Sequence, residues 1–290
     1  MVIQGDLTPR IPKPATDRAG DWDRFAETYK QITESTNIKP VGAILDRLNA
    51  LWPFKDATGF LDNGCGPGTI MARLIDVYGT SIPPSCSLLC TDYSPAMIKQ
   101  VAAAREKQEP ASLWARVDAR VLDALDLRGI GDNSLSHVAA GLLYNLTTDP
   151  HKCLTECRRV LQPNGVLAAS AWEGNEWLEM MQVLPIIKPE LKSAVKAKWT
   201  SVSAMKADLA AAGFRDVEVE SVPVQVPFES HDLFVDTLLT YQPRMTALLR
   251  DFTEQEKATL RKLLIEEMKV YCPTEPGALN GVVLVATGCK

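Results

Sequence analysis

The chain lacks what would place it on a membrane or a nucleic acid. No apolar run approaches the ~20 residues of a membrane span. Its 31 Lys and Arg are outnumbered by 36 Asp and Glu, a formal net charge of −5. That leaves no basic excess for a broad nucleic-acid or anionic-lipid surface. The first residues, Met1 to Asp23, are polar and interrupted by proline, with no apolar signal core. These absences predict a cytoplasmic protein with no nucleic-acid and no membrane partner. Metal chemistry is equally thin. There are three histidines, and the seven cysteines are scattered. Only Cys153 and Cys157 share a helix face, and the second ligand pair of a zinc site is missing, so both read as small core residues and no metal is expected. No internal repeat or low-complexity tract is visible, and oligomeric state leaves no trace.

What is there is a soluble-type composition, 46% hydrophobic and 23% charged over 290 residues, enough for one large domain. The most informative stretch is Phe60-Leu61-Asp62-Asn63-Gly64-Cys65-Gly66-Pro67-Gly68-Thr69. A short apolar run ends in an acid, a glycine-rich turn follows, and Met71, Leu74, Ile75 and Tyr78 then recur at helical spacing. A strand, a glycine loop and a helix start make a nucleotide pocket at the carboxyl edge of a parallel sheet. The dinucleotide pattern G-x-G-x-x-G fails, because counting from Gly64 its third glycine falls on Thr69. What stands is D-x-G-x-G-x-G from Asp62 to Gly68. This resembles the first motif of class I S-adenosylmethionine (SAM)-dependent methyltransferases. The acid suits such a ligand, whose methionine end carries an ammonium and no phosphate.

The same resemblance continues at three further strand tips. The run Ser87 to Thr91 ends at Asp92, where the family places an acid against the two ribose hydroxyls. Tyr93 and Met97 follow, with Ser94 as helix cap, Pro95 at the first helical position and Met97 beside the adenine. A third strand over Ala119–Leu122 leads to Asp123 and Ala124, the pair that would read the adenine edge; Asp118 and Asp126 are alternatives. A fourth strand, Leu135–Ala140, ends at Ala140 and Gly141, whose carbonyls would face the ammonium. His137 lies inside that strand and reads as a core or surface residue rather than a base. Tyr144 just beyond the tip reads as substrate wall or hydroxyl partner. Thr148 is expected to cap the next helix, and Pro163-Asn164-Gly165 to turn into a fifth strand, Val166–Trp172. Trp172 and Trp177 then flank the pocket side.

N-terminally, Trp22, Phe25 and Tyr29 recur at spacings of three and four. They are either a lid over cofactor and substrate, with Tyr29 on the cofactor, or simple helix packing. The expected organisation is a leader and cap helix over 1–40 and a methyltransferase domain over 41–290, with helical insertions at about 178–199 and 228–270. The fold class is α/β, a Rossmann-like seven-stranded mixed sheet with helices on both faces. Val217–Val222 and Gly281–Thr287 would form its antiparallel pair. The cofactor-binding set is Asp62, Gly64, Cys65, Gly66, Gly68, Asp92, Tyr93, Met97, Asp123, Ala124, Ala140, Gly141 and Tyr29. The substrate set is Trp22, Phe25, Tyr144, Trp172 and Trp177, and no catalytic residue is assigned. The resemblance implies methyl transfer from SAM to a small molecule through O, N or S, and the apolar insertions suggest a hydrophobic one from secondary metabolism. Within the family the chain is similar to gliotoxin-type thiol methyltransferases. A SAM-binding regulator without catalysis and a protein or RNA methyltransferase are the other readings.

Overall fold

The computed structural model describes residues 22, 23, 26, 38–109, 111–193, 201–241 and 243–290. Phe25, Tyr29 and the leader lie outside them. The chain runs α1 (Ile38–Leu51), β1 (Gly59–Asn63), α2 (Thr69–Tyr78), β2 (Ser87–Asp92), α3 (Pro95–Glu106), β3 (Val117–Val121), β4 (Leu135–Ala140), α4 (Pro150–Val160) and β5 (Leu161–Asn175). Then come α5 (Glu176–Met180), α6 (Leu184–Ile187), α7 (Val202–Ala211), β6 (Arg215–Phe228), α8 (His231–Tyr241), α9 (Pro243–Leu248), α10 (Glu254–Tyr271) and β7 (Gly277–Cys289).

The strands form one sheet in the order β3-β2-β1-β4-β5-β7-β6. Strands β1 to β5 are parallel, and β7 pairs antiparallel with both β5 and β6. The chain moves outward from β1 to β3, then crosses back to β4 on the other side of β1. That reversal opens a crevice beyond the carboxyl ends of β1 and β4.

Strand alternation sorts the core into two faces. Phe60, Leu88, Cys90, Ala139 and Val166 meet the α1 stripe Val41, Ile44, Leu45 and Leu48, the α2 residues Ile70, Met71 and Leu74, and Val101 of α3. Leu61, Val138, Ala140, Leu167 and Ala169 meet Leu154, Cys157 and Val160 of α4 and Leu209 of α7. Each fully buried leucine contributes about 1.5–3 kcal/mol relative to exposure. Leu51, at the end of α1, is 42% exposed and takes no part in that stripe. The insertions build a third cluster of their own. Met180, Met181 and Leu184 pack on Val235 and Leu238 of α8, Met245 of α9, and Leu260, Leu264 and Met268 of α10.

Several boundaries differ from expectation. Asp149, not Thr148, caps α4: its carboxylate accepts from the Lys152 amide at 3.0 Å, with Pro150 at the first helical position. β3 starts two residues earlier than read, at Val117. The Pro163–Gly165 turn does not precede β5 but lies inside it. Leu135 pairs with Leu161 and His137 with Val166, so the extra residues bulge out, with Asn164 at φ 65°.

Candidate active site

The glycine loop leaves β1 in a conformation that L side chains rarely adopt. Gly64, Gly66 and Gly68 have φ of 66°, 52° and 86°. At Gly64 space is also short: a Cβ would lie 2.5 Å from Leu143 Cδ1. The loop is laid onto the tip of β2. The Cys65 amide donates to the Thr91 carbonyl at 2.9 Å, and the Gly66 amide donates to Asp92 Oδ2 at 2.9 Å. The Ser94 amide holds the other Asp92 oxygen at 2.9 Å. Burial pushes the Asp92 carboxyl up, the amides of Ser94 and Gly66 oppose this, and the charge of Asp23 adds to it.

Asp62 is the central group. It is fully buried. Its Oδ2 accepts from the Met71 amide at 3.2 Å and so caps α2 from the preceding strand. Among the described residues its Oδ1 has no hydrogen-bond partner. Burial raises its pKa to about 7; the Met71 amide works against that, and the Asp92 charge works with it. A buried carboxylate with a vacant oxygen is costly unless a donor reaches it.

That residue borders a cavity of about 50 Å³ bounded by the loop residues Gly64, Cys65 and Gly66, by Gly141 and Leu142 at the β4 tip, by Ser170 of β5, and by Pro40 and Val41 of α1. The structure therefore brings Asp62, Gly64, Cys65, Gly66 and Gly141 together, with buried Ala140 behind them. Asp92 and Tyr93 stand one strand over, and Met97 is buried in the first turn of α3. Asp123 and Ala124 lie two strands over, beyond β3. Of the three acids near that tip, Asp118 pairs with Arg120 and Asp126 with Arg128, both at 2.6 Å. Asp123 caps its own turn, accepting from the Leu125 amide at 2.9 Å. Cys65 is a buried thiol pushed well up by burial, so it is no ready nucleophile.

The expected substrate residues that are described, Trp22, Tyr144, Trp172 and Trp177, do not gather. Tyr144 is fully buried, its hydroxyl 2.7 Å from Cys157 Sγ, which leaves it no surface for a ligand. Leu142, at φ 52°, turns the chain so that the ring folds under the sheet. Trp177 packs with the insertion cluster and Trp172 with the core on the α1 side of the sheet. Trp22 is helical and half-buried. His137 is a core histidine: Nε2 faces the Trp52 carbonyl and Nδ1 the Ser136 hydroxyl, each at 2.8 Å, and burial lowers its pKa to about 4.

A larger cleft of about 640 Å³ opens at the end of β5, between Lys39, Glu173, Asn175, Glu176, Glu179 and Tyr271. Glu176 accepts from the Asn280 backbone and side chain at 2.7 and 3.1 Å, and the Tyr271 hydroxyl donates to Glu179 at 3.2 Å. Sequence reasoning missed Lys39, Glu179 and Tyr271, together with Ser170 and Asp23. Among the described residues no group of three or more His, Cys, Asp or Glu is arranged to hold a metal ion. No helix among them is long and apolar enough to cross a membrane.

Comparison with known proteins agrees with this geometry. Residues 61–169 match the model of a methyltransferase domain. The chain is 56% identical to the methyltransferase ucsB of an Acremonium species, over the whole of both chains. It is 25% identical to the acetylaranotin bis-thiomethyltransferase of Aspergillus terreus, covering 79% of this chain and 81% of that one. Among solved structures, phosphoethanolamine N-methyltransferase 2 of Haemonchus contortus with bound SAM superposes with a TM-score of 0.55 at 18% identity. That match covers 92% of this chain and 57% of the other. The sheet order, the acid-tipped glycine loop and the full-length relative together place this chain in the family of SAM-dependent methyltransferases.

Proposed function

We propose that this enzyme carries a methyl group from SAM to a small-molecule acceptor seated in the cleft at the end of β5. The observation that carries the reading is the vacant, buried Oδ1 of Asp62 beside the glycine loop. An ammonium donor there would satisfy it and hold the methionine end of the cofactor. The left-handed glycines let backbone approach that ligand without a Cβ in the way. Asp92 would take the ribose hydroxyls and Asp123 the adenine amino group. The bound cofactor supplies a methyl on a positively charged sulfur, so alignment and exclusion of water supply much of the catalysis. We take residues 1–40 as leader and cap and 41–290 as the catalytic domain.

The acceptor is the finer question. The insertions use their apolar side chains on one another, and the cleft they border combines Glu173, Asn175, Glu176, Glu179 and Lys39 with the apolar Pro223, Val224 and Val282. This favours an acceptor bearing hydrogen-bonding groups over a plain hydrocarbon skeleton. Lys39 and Pro40 join the two cavities, and β5 runs from Ser170 at one to Glu173 at the other. A second reading, thiol S-methylation in fungal secondary metabolism, is favoured by the acetylaranotin relative. It also fits a cleft whose described lining includes no histidine, since a thiol ionises near neutrality and needs little base. The test is a transfer assay with methyl-labelled SAM against thiol, phenol and amine panels, run on wild type and Glu173→Gln. Label transferred to one class, and weakened by the substitution, supports the cleft. Transfer that is indifferent to Glu173, Glu176 and Glu179 substitutions removes it.

A further inference from the structure

A chain of hydrogen bonds runs from the N-terminal segment to the glycine loop. Asp23 Oδ1 accepts from the Ser94 hydroxyl at 2.5 Å and from the Ala96 amide at 3.1 Å. The Ser94 hydroxyl in turn accepts from the Met97 amide at 3.2 Å, closing the first turn of α3. The Ser94 amide donates to one Asp92 oxygen, and the other Asp92 oxygen holds the Gly66 amide, each at 2.9 Å. Ser94 is fully buried and Asp92 is 9% exposed, so neither has water as an easy substitute partner. Ala26, one turn beyond Asp23, is buried too, so this part of the chain is seated on the protein.

We propose that Asp23 is a positioning residue for the cofactor: by fixing Ser94 and the start of α3 it sets the Asp92 carboxylate against the glycine loop, so that seating of the N-terminal segment and cofactor binding are coupled. The proposal rests on the reading of Asp92 as the ribose acid. Three features favour it over plain helix capping. Ser94 already caps α3 by itself, so Asp23 is a second cap on a helix start that does not need one. The Ser94 hydroxyl can donate only once, and giving that proton to Asp23 leaves its lone pairs for the Met97 amide. Finally, Asp23 puts a second carboxylate close to Asp92, and a pair of like charges is a cost that a purely structural cap would avoid. Coupling is reciprocal: whatever Asp23 adds to cofactor affinity, the cofactor adds to the seating of Asp23 on Ser94.

The experiment measures affinity for S-adenosylhomocysteine by calorimetry on wild type, Asp23→Ala, Asp23→Asn and Asp92→Ala, with hydrogen exchange of the free and bound proteins. Asp23→Ala is expected to weaken binding roughly tenfold. Asp23→Asn, which keeps an acceptor oxygen, should recover most of that loss. In wild type the ligand should slow exchange at Gly64–Gly68 and also at residues 22–26. In Asp23→Ala only the glycine loop should respond. An Asp23→Ala protein that melts lower but binds within twofold of wild type shows a structural cap only and overturns the coupling. If Asp92→Ala also binds like wild type, the ribose reading itself fails. If Asp92→Ala weakens binding and Asp23→Ala does not, the coupling alone fails.

Discussion

Replacing Asp62 by Asn tests the site at its most exposed point, because the apo and ligand-bound proteins should respond in opposite directions. The folded-state pKa of about 7 lies above the ordinary carboxylate value, so the folded chain holds this proton longer than the unfolded one. The sign follows. Below about pH 4 the group costs nothing, and as pH rises from there through 7 the ligand-free protein loses stability, up to about 4 kcal/mol in all. Asp62→Asn keeps an acceptor for the Met71 amide and removes the charge. The ligand-free variant should therefore melt at or above wild type at pH 8, with the gap closing toward pH 5. Ligand binding should go the other way. A hydrogen bond to a charged group is worth about 1.5–3 kcal/mol. Affinity for S-adenosylhomocysteine, which keeps the methionine ammonium, should thus fall roughly ten- to hundredfold at pH 8. At pH 5 wild-type Asp62 is protonated and the two proteins should converge. Calorimetry and thermal melts at both pH values read all of this. Equal affinity at pH 8, or a gap independent of pH, would refute an ammonium on Asp62.

Other expectations follow from the same geometry. Gly64→Ala combines a left-handed φ with a Cβ 2.5 Å from Leu143, so it should lower the melting temperature and weaken cofactor binding; unchanged binding would mean the loop is free to move away. His137→Gln should narrow its stability deficit as pH falls from 7 to 5. Burial holds the histidine neutral down to about pH 4, so its contribution is present above its ordinary value and lost on acidification; melts at the two pH values check this. Arg159 reaches the Ile130 and Leu127 carbonyls, Asp132 and Glu156. Arg159→Ala should cost on the order of 1–3 kcal/mol in urea unfolding without altering cofactor affinity.

Much of this was legible in the sequence because local chemistry dictates it. The run ending at Asp62 can only be a buried strand, and Ser94-Pro95 is a helix start whatever surrounds it. The acids at the tips of β1 and β2 and the one beyond β3 follow once strands alternate with helices. What was hidden depends on pairing across the chain. Ser170 reaches the cavity because Ala140 pairs with Ala169, which sets Ser170 beside the residue after β4. Tyr144 was misplaced because a left-handed leucine, a conformation no pattern announces, turns the chain under the sheet. The apolar insertions looked like pocket lining, since a helix stripe does not say which partner it meets; they meet each other. Asp23 carries no motif, and its meaning lies in Ser94, far along the chain.

The most direct test of the account is a thermal-shift titration with SAM and S-adenosylhomocysteine on wild type and Asp92→Ala. A ligand that binds only the folded chain raises its melting temperature with concentration. A saturating rise is expected for both ligands in wild type and a smaller one in the variant. A folded wild-type protein whose melting temperature does not move with either ligand would contradict it.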